Sequence, residues 1–203
     1  MLISHRLSQN YDLAKLIVGS KKIVIWAPKA ILCFYSPVLK AALCKNFPEA
    51  ASGEMTMPKD SESTIQRLVG WMQTGSITYA EVQKSNWMEN TGTVLAQLWI
   101  VGNKYLSSGF YNAIMHLLFQ HITFHYLHPE AAAYVFENTL NSSKLRKFVL
   151  DCLQAYGPFS HNDDEFRVEW LEFTARGGDA MKECILAGGF HNNNGPKPEA
   201  KDN

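Results

Sequence analysis

The sequence predicts an α+β protein: a small β-sheet flanked by a cluster of short helices, followed by an all-helical extension. Three observations carry this expectation. Two short aliphatic, β-branched runs lie close together near the start. Capped helical segments follow, interrupted by one further strand. Every later periodic segment repeats at helical spacing. With 203 residues, 46% of them apolar and 12% aromatic, the chain can bury a sizeable core and does not have a disordered composition.

Leu13 to Val18 and Lys22 to Trp26 read as a hairpin around Gly19-Ser20-Lys21, where Gly supplies the positive φ of a tight turn. Both runs are apolar at nearly every position, so helices are expected over at least one sheet face. Pro28 fits the first position of a helix, where its missing N–H costs nothing, and Lys29 to Tyr35 continues it. Ser36-Pro37 repeats that start signal for Val38 to Lys45. Glu54 to Met57 forms a brief strand before Pro58.

Asp60 or Ser61 caps the next helix, whose stripe is Ile65, Leu68, Val69 and Met72 and whose stop is Gly75. A polar loop over residues 80–92 leads to the stripe Leu95, Leu98, Trp99, Gly102 and Tyr105. Ser107-Ser108 restart the chain for Phe110, Ala113, Ile114 and Leu117. Helices are then expected over 129–138 and along Leu145, Phe148, Val149, Cys152, Leu153 and Tyr156 behind a Ser142/Ser143 cap. Weaker ones fall over 163–175 and 179–187. The Asn/Pro/Gly/Lys-rich tail from Gly188 is expected to be disordered. The expected organisation is an N-terminal segment 1–10, a first domain 11–125, a helical extension 126–187 and a tail 188–203.

Lys+Arg and Asp+Glu both number 19, so the net charge is zero, and neither nucleic acid nor an anionic membrane is an expected partner. Lys21-Lys22 and Lys144-Leu145-Arg146-Lys147 are ordinary for a hairpin tip and a helix surface. Cys33, Cys44, Cys152 and Cys184 form no C-x-x-C, and each sits in an apolar helical pattern, where a free thiol packs as a small hydrophobe. Met1-Leu2-Ile3 runs directly into Ser4, His5 and Arg6 without the apolar core of a signal peptide. Cytosol or nucleus is the expected location.

Five segments, in order, resemble the BTB/POZ family. Tyr11-Asp12-Leu13 through Gly19 resembles its opening strand. Lys29-Ala30-Ile31-Leu32 followed by Tyr35-Ser36-Pro37-Val38-Leu39 resembles its first-helix signature, and Asn46-Phe47-Pro48-Glu49 its F-x-E segment. Pro58 through Trp71-Met72-Gln73-Thr74-Gly75 resembles the family's long helix. Leu98 through Lys104-Tyr105-Leu106 resembles its L-x-x-L-A-x-K-Y-x-L run. The stretch Val135 to Thr139 with Ser143 to Arg146 is similar to the helical extension behind many fungal BTB domains. Where the family usually carries His before the first-helix Lys, this chain has Pro28.

The resemblance implies a protein-interaction module and no catalytic activity or cofactor. Its leading partner contact is Phe47-Pro48-Glu49, at the place where BTB adaptors dock on cullin-3. An exposed Phe can fill a partner's pocket while Glu fixes orientation. Against this stands a loop Phe folded onto its own core. Asp12 and Lys29 match a charged pair near the dimer groove of BTB regulators, with an ordinary surface salt bridge as the simpler reading. Swapped BTB dimers carry an extra N-terminal strand and helix, for which the ten or so residues before the first strand leave little room, so a homodimer of that kind is not expected.

The function expected is a substrate adaptor or assembly factor for a cullin-3-type ubiquitin ligase. The alternative is a self-association scaffold in transcriptional or other regulation. A remote third is a metal-dependent enzyme built on His121, His125 and His128. That run contains no acidic residue or Cys, and Pro129 places the helix end near His125, so surface or helix-end histidines are the preferred reading. No nucleophile elbow, zincin motif or phosphate-binding loop occurs. Asp163-Asp164-Glu165 reads as acidic charge at a helix start, and Trp170 and Phe173 as packing residues.

Overall fold

A computed structural model describes residues 12–45, 47–83, 90–124, 127–156, 164–178 and 182. It is a mixed α+β architecture with one three-stranded sheet and several short helices. The chain separates into two compact units, residues 1–120 and 121–203.

In the first unit, β1 (Leu13–Val18) pairs antiparallel with β2 (Ile23–Pro28), with Leu16 opposite Ile25. The turn is one residue longer than the sequence indicates. Lys22 adopts a left-handed conformation (φ 52°) beside Gly19 (φ 70°), so β2 starts at Ile23 and runs on to Pro28. Pro28 is therefore the last residue of an edge strand and the N-cap of the next helix, not its first residue. An edge position tolerates the missing donor.

Helices α1 (Lys29–Tyr35), α2 (Pro37–Cys44) and α3 (Pro48–Ser52) then carry the chain across to β3 (Glu54–Met57), which pairs parallel to β1. A parallel return requires such a crossover. The sheet order is β2-β1-β3. Alternation puts Ala14, Leu16, Val18, Ala27 and Met57 on the buried face. The opposite face carries Leu13, Val24 and Trp26, all exposed, so only one side of the sheet is closed by helices among the described residues.

Helix α4 (Glu62–Thr74) buries Ile65, Leu68, Val69 and Met72 against α1 and α6 (Thr91–Lys104), and Gly75 ends it at φ 73°. Ser61 is its N-cap, but its Oγ meets Ser63 Oγ at 2.9 Å and makes no capping bond to the backbone. Within the stretch expected to be a polar loop, Tyr79–Gln83 forms a short helix, α5, whose Val82 is buried against α6. Helix α7 (Ser108–Phe124) closes this core with Phe110, Ile114 and Leu117.

The second unit holds α8 (Pro129–Asn138), α9 (Lys144–Tyr156) and α10 (Asp164–Arg176). Ala132, Val135, Leu145, Val149 and Trp170 are buried there, and the Trp170 and Phe173 rings meet edge to face at 5.4 Å. Ser143 was expected to help cap α9, but its buried hydroxyl makes no hydrogen bond. The stretches expected as a helix over 179–187 and as a tail from 188 lie outside the described residues, apart from Lys182.

Candidate interaction surface

Helix α2 has two faces. Leu39 and Leu43, four residues apart, are buried. The other face presents Pro37, Val38, Ala41 and Ala42 to a groove of about 470 Å³. Small alanines make its floor shallow. Ser36 fixes the start of α2: its Oγ accepts the Leu39 N–H at 3.0 Å and donates to the Tyr105 carbonyl at 2.6 Å. One buried hydroxyl thus ties α2 to the connection between α6 and α7.

That tie positions the groove's second wall. Leu106 follows Tyr105 in a left-handed conformation (φ 53°), which costs a non-glycine residue on the order of 1 kcal/mol or more. Its N–H reaches the Asn103 carbonyl at 3.1 Å, and the Ser107 N–H reaches the Gly102 carbonyl at 2.9 Å, so the turn is held on both sides. The result is a leucine side chain left 53% exposed at the groove.

The third wall is Phe47 and Glu49, at the start of α3. Phe47 is the N-cap residue, Pro48 takes the first helical position, and Gly53 in a left-handed conformation ends the helix, its N–H bonded to the Glu49 carbonyl at 2.9 Å. Phe47 is 52% exposed, so its ring is not folded away into the core. Glu49, half-buried, brings a carboxylate to an otherwise apolar lining. Pro48 is exposed between them. An apolar cleft with an aromatic and a leucine at its rim and one acid at its edge can receive an apolar side chain flanked by a basic group.

No protein-family model matches the chain, and no curated protein matches it.

Asp12 and Lys29 do meet, with Nζ to Oδ2 at 3.4 Å, and the Lys29 N–H bonds the Asp12 carbonyl at 2.8 Å. The Asp12 side chain is 76% exposed, so this ion pair is worth about 0–1 kcal/mol. Neither residue lines the groove.

Among the described residues, His121 and His128 do not share a ligand cluster. His121 is buried in the last turn of α7, His128 is the N-cap of α8, and His125 lies outside the described residues. His128 instead meets Glu169 of α10, Nδ1 to Oε2 at 3.1 Å, with Glu130 close enough that all three could ligate one ion. Exposed acids are often arranged so without any metal.

Sequence reasoning missed Leu106, Val38 and the two alanines as groove residues. Their signal is weak: Leu106 directly follows a helical stripe ending at Tyr105, and no turn residue marks its left-handed backbone. Cys44 was expected in an apolar helical pattern but is exposed as the last residue of α2. Cys152 is buried. Cys184 lies outside the described residues. No helix among the described residues is long and apolar enough to cross a membrane.

Proposed function

We propose that the first part of the chain, residues 11–125, is a protein-interaction domain of BTB/POZ type, and that the α2–α3–Leu106 groove docks a cullin-3-type ubiquitin-ligase scaffold. The resembling segments support the family reading. They fall in order on β1, α1 and α2, the start of α3, α4, and the end of α6. The observation that carries the docking reading is the half-exposed Phe47 ring beside Glu49 on an apolar groove. Substrate recruitment is assigned to the helical extension, residues 126–187. A pull-down with purified cullin-3 tests this. Capture by the native chain and loss with Glu49→Lys is the expected pair of results, and an empty pull-down with the native chain removes the ligase reading.

A second reading, self-association in a regulatory scaffold, draws on the open sheet face. Trp26, Val24 and Leu13 are 57%, 44% and 45% exposed there, beside the Lys15–Glu54 ion pair, and exposed apolar residues on one face favour association. Sedimentation velocity of the native chain and of Trp26→Ser separates the two. A dimer lost on substitution supports the scaffold, and a concentration-independent monomer excludes it.

A further inference from the structure

We propose that Cys33 and Cys44 are a reversible dithiol–disulfide pair, oxidised by exchange with a small-molecule disulfide of the glutathione type. The two cysteines lie eleven positions apart on α1 and α2, and the Ser36-Pro37 break folds these helices against each other. Their Sγ atoms stand 2.8 Å apart. Reaching S–S bonding distance requires a further approach of less than about 1 Å. Both residues are on short helices of the first unit, and neither thiol is sealed in the core: Cys33 is half-buried and Cys44 exposed.

The order of events follows from their environments. Burial, then the hydrogen bond and the charge of Cys44, push the Cys33 thiol up to about 11, while Lys29 and Lys40 pull it down. Cys33 therefore keeps its proton and Cys44, open to solvent, is the first nucleophile. The Cys44 thiol gives its proton to water, and its thiolate attacks one sulfur of the small disulfide. That S–S bond breaks, and the departing thiolate takes up a proton. Once Cys44 is held in the mixed disulfide, it no longer raises the Cys33 thiol through their hydrogen bond or charge. The Cys33 thiol then loses its proton and its sulfur attacks Cys44 Sγ, expelling the second small thiolate, which is protonated in turn. Two cysteine thiols are oxidised to one disulfide, and one small disulfide is reduced to two thiols. The bond fastens α1 to the end of α2, next to the segment that enters α3.

Incubation of the full chain with oxidised glutathione, alkylation of the remaining thiols and peptide mapping tests the proposal. The expected result is loss of the Cys33 and Cys44 thiols together, with their peptides joined by a bond that reduced glutathione reverses. Cys33→Ser should accumulate a glutathione adduct at Cys44 that goes no further. A native chain in which the adduct on Cys44 persists unresolved, or in which Cys33 stays alkylatable throughout, overturns it.

Discussion

The Tyr105 hydroxyl donates to Asp60 Oδ2 at 2.7 Å, and both residues are buried. Lys104 completes the arrangement, with Nζ 2.7 and 2.8 Å from the two carboxylate oxygens and its own side chain half exposed. The loop after β3 is thereby fastened to the end of α6, the same place where Ser36 grips the Tyr105 carbonyl. Asp60→Ala strands the phenol and is expected to cost about 2–3 kcal/mol, whereas Tyr105→Phe leaves the Lys104 pair and costs about 1 kcal/mol. Urea denaturation reads both. Burial, followed by the Asp60 hydrogen bond and charge, raises the Tyr105 pKa far above its ordinary 10.0. An acid whose folded pKa is raised contributes stability that is intact below its unfolded pKa and is lost as pH climbs toward the folded one. Stability should therefore fall above about pH 10 in the native chain, and less steeply in Tyr105→Phe.

Gly109→Ala should destabilise the first unit by about 1–3 kcal/mol through overpacking. A Cβ there would come within 2.6 Å of Trp71 Cη2, and that ring is held between Tyr35 at 5.1 Å and Phe110 at 5.6 Å. It cannot swing aside. Gly70, within α4, has nothing within 4 Å of its added Cβ, so Gly70→Ala should instead stabilise by about 0.5–1 kcal/mol. Thermal melts of the two variants should move in opposite directions.

In the second unit Arg146 terminates α8 from outside. Its Nη1 donates to the Phe136 carbonyl at 3.1 Å and the Thr139 carbonyl at 2.7 Å, and the guanidinium lies 4.9 Å from the Phe136 ring centre. These are carbonyls that a helix end leaves without intrahelical donors. Arg146→Ala should cost about 2–3 kcal/mol, and Arg146→Lys should restore only part of it, because an ammonium cannot both fork between carbonyls and lie flat on a ring. Hydrogen exchange at the last turn of α8 should report the loss directly.

Elements with an unambiguous period were legible from residues alone. Leu13–Val18 and Glu54–Met57 have the expected bounds, and α1 ends at Tyr35 as expected but starts one residue after Pro28. Helices α3 and α5, at five residues each, are too short to display a period. Asp60 carries the local signature of a cap, but its partners lie 44 and 45 positions away, and a half-exposed cation and a buried phenol outcompete a helix end. The groove was half visible. Phe47 and Glu49 stood out because an aromatic and an acid flank a helix-starting proline. Leu106 and the Cys33–Cys44 contact depend on how Ser36 and Tyr105 bring separate helices together, which no local pattern encodes.

The docking claim is tested most directly by calorimetric titration of cullin-3 into the native chain, Phe47→Ala and Leu106→Gly. Phe47→Ala should weaken binding by about 2 kcal/mol or more, as removal of an aromatic anchor does. Leu106→Gly should weaken it too while leaving the melting temperature unchanged or higher, since glycine accepts the left-handed backbone that strains leucine. Equal affinities for all three proteins, or no heat of binding with the native chain, would contradict a partner seated on Phe47 and Leu106.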